Sequence, residues 1–191
     1  MSEASDPWGE PLPDWDESAR PVPPAFPEAT PHDLAAGEHL RAVHDMFRGG
    51  LVTVGAVVDR VVGGEAGVGE ARAAIHELGL AEAYQQLGSY CGQLCSAVQT
   101  HHGLEDAVLY PALRAADAEL RPSLDRLALE HEVIHDVLVR LDATLVALVS
   151  EPARVDRLAA EFRQLRRLLE SHFLYEEQAI GTALGVHRVM G

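Results

Sequence analysis

The sequence predicts an all-α fold, an up-down-up-down antiparallel four-helix bundle. Four long stretches carry apolar residues at alternating steps of three and four, the period of a helix that buries one face. Short breaks rich in glycine or proline separate these stretches, and short connections make successive helices antiparallel. No alternation of apolar and polar residues extends beyond a few positions, so a β-sheet is not expected.

The chain begins with a segment of different composition. Residues 1–31 hold eight of the eleven prolines, both tryptophans and a single arginine. Such a composition buries little apolar surface, and it predicts a disordered or loosely attached acidic arm. The helical domain is expected over residues 32–185, and residues 186–191 are expected to form a C-terminal tail.

The first bundle helix is predicted from about Pro31 to Val62. Thr30 can cap its N-terminus, and a proline is well tolerated at the first helical position. Its buried stripe is predicted to comprise Leu40, His44, Phe47, Leu51, Val54, Val58 and Val61. Glycines between 63 and 69 end the helix, and a short crossover helix over about residues 70–78 is expected before Gly79.

The other three helices are predicted over about residues 81–116, from about Pro122 to 148, and after a break at 150–152. The second stripe is Leu87, Leu94, Val98, His101, Glu105 and Val108. The third is Leu124, Leu127, His131, His135, Leu138, Leu141, Leu145 and Leu148, and the fourth is Leu158, Phe162, Leu165, Leu169, His172, Glu176, Ala179 and Ala183. Histidine therefore replaces an apolar residue in every stripe.

These histidines are predicted to meet. In antiparallel helices of these lengths they fall in one layer, roughly 15 to 20 Å from the same end of the bundle. A buried imidazole or carboxylate is costly unless it is paired or bound to a metal. The layer therefore predicts a metal site, with His44, His101, Glu105, His131, His135, His172 and Glu176 as ligands. Nitrogen and oxygen donors without thiolates favour two iron ions bridged by carboxylates, with manganese or zinc as lesser candidates.

Several neighbouring residues have roles that the spacing leaves open. Glu177 is an alternative ligand to Glu176. Glu176 continues the apolar stripe, whereas Glu177 is turned by about 100° around the helix axis. Candidate hydrogen-bond partners of the ligands or of a bound molecule are His102, Asp106, Tyr110 and Tyr175. The segment from His131 to His135 also fits the H-E-x-x-H pattern of zinc peptidases.

Four segments resemble the signature segments of hemerythrin-like proteins of the HHE cation-binding family. They are HDMFRGGL from His44, HHGLEDAVLYPAL from His101, LALEHEVIH from Leu127 and HFLYEE from His172. The resemblance covers about residues 34–185 and implies a four-helix bundle with an oxo- or hydroxo-bridged non-haem di-iron centre. It implies ligation by His44, His101, Glu105, His131 and His172.

The family pattern varies at two further positions. The invertebrate oxygen carriers have two histidines in the third helix, matched here by His131 and His135. They have an aspartate five residues after the last histidine, where this chain has Glu177, whereas many bacterial relatives use a glutamate matched by Glu176. Both carboxylates therefore remain candidates.

The resemblance implies binding or sensing of dioxygen, peroxide or nitric oxide in the bundle core. The alternatives are a di-iron enzyme acting on peroxide or nitric oxide, and a zinc-dependent hydrolase using the HEVIH segment, so enzymatic activity stays open. A net charge of −15 with no lysine disfavours nucleic acid and anionic membranes as partners. The N-terminus lacks the pattern of a signal peptide, so a cytoplasmic location is expected.

Overall fold

The computed structural model describes residues 11–63, 70–148, 150–151 and 154–189, and for residues 70–86 it describes the backbone. The helices are α1 (Pro31–Val62), α2 (Glu70–Leu104), a π-helical turn (Glu105–Leu109), α3 (Tyr110–Ala116), α4 (Arg121–Leu148) and α5 (Val155–Val186). The described residues contain no strand, and the predicted all-α fold is confirmed. None of the described helices combines the length and apolarity needed to cross a membrane.

The long helices form a four-helix bundle. Helix α1 packs on α2 and α5, and α4 packs on the same two helices, which closes the ring. Gly37 of α1 faces Gly181 of α5, while Asp33 faces Gly185. Residue numbers thus rise along one helix as they fall along the other, so α1 and α5 are antiparallel.

Helix α1 begins where the sequence predicts. The Thr30 side chain accepts a hydrogen bond from the Asp33 backbone, and the Asp33 carboxylate accepts one from the Thr30 backbone. This reciprocal cap satisfies two backbone donors that have no partner within the helix, and Pro31 follows at the first helical position.

Helix α2 differs from the prediction at both ends. It runs from residue 70 to 104 without a break, so a separate crossover helix is not observed. A single glycine inside a helix costs only about 1 kcal/mol relative to alanine, and Gly79 therefore does not end it. At the other end the chain continues through the π-helical turn into α3, which has Pro111 in its first turn, where a missing N–H is tolerated.

Every residue of the predicted stripes of α1 and α5 is buried. In the other two stripes, two residues that were predicted to be buried are exposed. Val108 is 63% exposed, and His135 is also exposed. The π-helical turn contains an extra residue per turn and rotates the inward face, so that Tyr110 rather than Val108 points into the core.

Among the described residues, the apolar core is divided into two clusters. One contains Phe47, Leu51, Leu94, Ile134, Leu165 and Leu169 among others, and the second contains Leu40, Leu113, Leu124, Leu127, Ala179 and Leu184 among others. His44 lies between Leu40 and Phe47 along α1, and His131 lies between Leu127 and Ile134 along α4. A polar layer therefore separates the two clusters at one level of the bundle.

Residues 11–30 lie against the bundle, which differs from the loosely attached arm that their composition predicted. Trp15 packs against the first apolar cluster and Phe26 against the second. Gln164 donates to the Pro13 carbonyl at 2.8 Å, and Tyr175 donates to the Pro21 carbonyl at 2.9 Å. Prolines lose little conformational freedom when the arm becomes ordered. In addition, side chains of the helices donate hydrogen bonds to backbone carbonyls of the arm. Trp8 lies outside the described residues.

The close crossing of α1 and α5 gives a stability prediction. A Cβ atom at Gly185 would overlap the Asp33 backbone, and one at Gly37 would lie 2.9 Å from the Gly181 oxygen. Gly185→Ala should therefore destabilise the protein by about 1–3 kcal/mol through overpacking, measured by denaturant unfolding.

Gly49 provides the matched control, since it lies inside α1 and a methyl group added there would meet no atom of a neighbouring helix within 4 Å. Gly49→Ala should raise the free energy of unfolding by about 0.5–1 kcal/mol because alanine loses less backbone entropy. Equal stability of the two variants would show that the helices do not need the close contact.

Candidate metal centre

Seven side chains bring their donor atoms together in the polar layer. One group is His44, His101, Glu105 and Glu176, and the other is His102, His131 and His172; within each group the donor atoms lie within 4.8 Å of one another. Every member is buried except His101, which is partly exposed. All four long helices and the π-helical turn contribute residues to this layer.

Carboxylates fix the orientation of three of the histidines. The contacts are His44 Nδ1 to Glu177 Oε1 at 2.9 Å, His131 Nδ1 to Asp106 Oδ1 at 3.1 Å, and His172 Nδ1 to Glu130 Oε2 at 3.1 Å. An ionised carboxylate only accepts hydrogen bonds, so in each ring Nδ1 donates and Nε2 presents its lone pair to the centre. This is the arrangement that metal-binding histidines adopt.

The inward-facing atoms lack the partners that buried polar atoms require. His131 Nε2 and His172 Nε2 lie 3.1 Å apart, although both rings already donate from Nδ1. Further buried atoms without a hydrogen-bond partner are Nε2 of His44, His101 and His102, both oxygens of Glu105, and Oε2 of Glu176. A buried polar atom left unpaired is destabilising, and bound cations would accept the lone pairs of these nitrogen and oxygen atoms. The residues present therefore fit a metal ion.

The electrostatics agree with this fit. Burial lowers the pKa of His101 to about 4 and lowers the pKa of His102 well below its usual value. Both imidazoles are thus neutral, the form that binds metals. Burial, together with the nearby Glu176, raises the pKa of Glu105 well above its usual range. A cation between the two carboxylates would remove their mutual repulsion.

Glu176 and Glu177 lie on opposite sides of His44. Glu176 is fully buried, and its Oε2 is 3.2 Å from His44 Nε2 without hydrogen-bond alignment. Glu177 instead accepts from Arg48 at 2.8 Å as well as from the outer nitrogen of His44. The stripe predicted this placement, because Glu176 continues the line of His172 and Glu177 is rotated by about 100°.

Tyr110 and Tyr175 have different surroundings. Tyr110 is buried, and its hydroxyl donates to Glu176 Oε1 at 2.6 Å and lies 3.4 Å from His131 Nε2. It is therefore a direct hydrogen-bond partner of the layer. The Tyr175 hydroxyl instead donates to the arm, at the Pro21 carbonyl.

His135 is not brought to the layer. It is exposed, and its Nδ1 lies 3.3 Å from Gln99 Nε2. Four residues turn a helix by about 400°, so the His135 side chain points past the inward direction that His131 takes. Ile134 occupies the buried position instead. The zinc-peptidase alternative loses its support with this finding, since the two histidines of H-E-x-x-H must bind the same ion.

His102 belongs to the layer, although the sequence predicted a position beside it. The observed buried stripe of α2 and the start of the π-helical turn contains Leu87, Cys91, Leu94, Val98, His102 and Glu105, at steps of four, three, four, four and three. This stripe is as regular as the predicted one through His101, and the sequence alone offers no choice between them. In the observed rotation of α2, both histidines reach the centre.

Glu130 is a functional residue that sequence reasoning missed. It is 1% exposed and contacts His172, and its position beside His131 falls outside the predicted stripe. Burial by itself raises the pKa of Glu130, but hydrogen bonds from His172, Arg20 and Arg126 outweigh burial and lower the pKa to about 2. The carboxylate is therefore ionised and able to hold the His172 ring.

The two cysteines do not join the layer. Both are free thiols on α2, and burial raises the pKa of Cys91 to about 12 and the pKa of Cys95 to about 11. Such thiols remain protonated, and the thiolate is the form that binds metals and reacts with oxidants.

Comparison with known proteins agrees with the geometry. The family model of the hemerythrin HHE cation binding domain matches residues 35–184, which include all seven side chains of the layer. No curated protein matches the chain significantly, and no solved structure does so. The match extends over most of the 191 residues. This chain therefore belongs to the hemerythrin HHE cation-binding domain family and is a metal-binding hemerythrin-like protein.

Proposed function

We propose that the chain is a non-haem di-iron protein that binds or senses dioxygen, peroxide or nitric oxide in the bundle core. The main support is the adjacency of the two donor groups. Glu105 Oε2 lies 3.6 Å from His131 Nε2, and Glu176 Oε2 lies 3.8 Å from His172 Nε2. Each carboxylate of the first group thus reaches a histidine of the second, as a ligand shared by two ions would.

The grouping of the donor atoms supports a ligand assignment. His44 and His101 would bind one ion, and His102, His131 and His172 would bind the other, with Glu105 and Glu176 shared. Imidazole and carboxylate donors without thiolates suit iron, with manganese or zinc as alternatives. Iron in such a site supplies redox chemistry and affinity for dioxygen, peroxide and nitric oxide.

Residues around the layer would control access to it. The two apolar clusters exclude water above and below. His101 lines an open groove of about 870 Å³ between α1 and α2, together with Val43, Ser96, Thr100 and Leu104. This groove provides a route by which a small molecule could reach the one partly exposed member of the layer.

A cytoplasmic location remains a prediction from the sequence.

An enzyme acting on peroxide or nitric oxide is the second candidate, and Tyr110 favours it. A buried hydroxyl 2.6 Å from Glu176 can hold a proton next to the centre.

Reversible binding should give an optical spectrum that appears with dioxygen and disappears under argon. An enzyme should instead consume peroxide or nitric oxide over many turnovers, which an electrode records. Absence of both responses in the iron-loaded protein would contradict the proposal.

Metal content is the direct test of the centre. The purified or ferrous-reconstituted chain should hold two iron ions, and His172→Ala should lose them because a buried ligand is removed; elemental analysis measures this. His135→Ala is the matched control, since this exposed histidine lies one helical turn from His131 and should leave metal content unchanged. A wild-type chain that stays metal-free after reconstitution would refute the proposal.

The two neighbouring glutamates give a second test. Glu177→Ala removes a hydrogen bond to His44 and should weaken iron binding by about 10–100-fold, as loss of an outer partner does. Glu176→Ala should weaken it further, because a shared ligand is lost. Competition against a chelator measures both affinities, and the reverse order would show that Glu177 is the ligand.

A further inference from the structure

Glu130 joins the layer to the N-terminal arm. Its Oε2 contacts His172 Nδ1 at 3.1 Å on the inner side. On the outer side, Arg20 donates from Nε to Oε1 at 2.8 Å and from Nη2 to Oε2 at 2.9 Å. Arg126 of α4 donates to Oε1 at 2.8 Å. One carboxylate is therefore held by a paired guanidinium contact from the arm and a single contact from its own helix.

We propose that Arg20 is a positioning residue of the metal centre, acting through Glu130 on His172. This inference rests on the proposed function for its effect on metal binding. Arg20 is the single arginine among the 31 residues of the acidic arm, and it is the residue through which the described part of the arm contacts Glu130. The arm would then contribute to metal binding, although it lies outside the residues that match the family.

The surroundings of Arg20 hold its guanidinium in place. It lies over the Tyr175 ring at 4.7 Å and over the Trp15 ring at 5.6 Å. Its Nη1 donates to Ser171 Oγ at 2.9 Å. Contacts with two aromatic faces and a hydroxyl restrict the side chain, so the paired contact with Glu130 is formed at low entropic cost.

The same arrangement occurs on the opposite side of the layer. Arg48 donates to Glu177 at 2.8 Å, and Glu177 accepts from the outer nitrogen of His44. In both places an arginine holds a carboxylate that holds a histidine. Arg48 lies on α1, the same helix as His44, whereas the side of His172 uses an arginine of the N-terminal arm.

Removal of Arg20 should loosen His172. A buried carboxylate that loses a paired cation is poorly compensated and is held by fewer contacts. It then holds the His172 ring less firmly, and an outer partner of a metal ligand typically changes affinity by about 10–100-fold. Metal release should therefore be faster although no ligand has been changed.

The test compares four full-length chains loaded with ferrous iron, namely wild type, Arg20→Gln, Arg20→Lys and Arg167→Gln. Arg167 also contacts the arm, at Asp14, but does not contact Glu130, so it controls for a weakened arm. Release of iron to a ferrous chelator should be about 10–100-fold faster for Arg20→Gln and intermediate for Arg20→Lys. It should be unchanged for Arg167→Gln. Equal rates for Arg20→Gln and Arg167→Gln would overturn the inference.

A double variant separates positioning from a general loss of stability. If Arg20 acts through Glu130, adding Arg20→Gln to Glu130→Gln should not accelerate iron release further, because contacting residues are non-additive. Additive acceleration would overturn the proposed route.

A metal-free measurement distinguishes this inference from the proposed function. In the apo protein, NMR should detect a protected His172 Nδ1–H proton in wild type and in Arg167→Gln, and its protection should be lost in Arg20→Gln. An unchanged signal would overturn the role of Arg20. If wild type binds no iron, the proposed function fails, and this signal alone decides the inference.

Discussion

The convergence of seven histidine and glutamate side chains at one level, six of them buried, is the constraint on which the rest of the structure depends. Their inward atoms include two imidazole nitrogens 3.1 Å apart and several atoms with no hydrogen-bond partner. In an apolar core this arrangement is unfavourable without a bound cation. The HHE family match and the geometry therefore give the same explanation, since cation binding supplies the missing partners.

The bundle is built to hold this layer in register. Two apolar clusters pack above and below it, and the glycines of α1 and α5 allow a close antiparallel crossing near one end. The π-helical turn rotates the chain between Glu105 and Tyr110, so that both side chains face inward. π-Helical turns are frequent at functional sites because a local change of rotation can redirect a side chain without ending the helix.

Charge alternates from the surface to the centre. Arginine contacts carboxylate, and carboxylate contacts histidine, around both His44 and His172. Each outer arginine keeps a carboxylate ionised, and each ionised carboxylate fixes the tautomer of a ring. The acidic character of the chain thus coexists with a few arginines placed where a buried carboxylate needs them.

The sequence by itself determined the four-helix bundle, the buried stripes of α1 and α5, and the meeting of His44, His101, His131 and His172. These features follow from helical period and segment length, which are local properties of the chain. The tertiary structure decided that His102 joins the layer while His135 stays at the surface, because the rotation of each helix about its axis depends on its packing against the others. It also decided the contacts of Glu130 and Arg20, since a pairing of residues so distant along the chain leaves no trace in local periodicity.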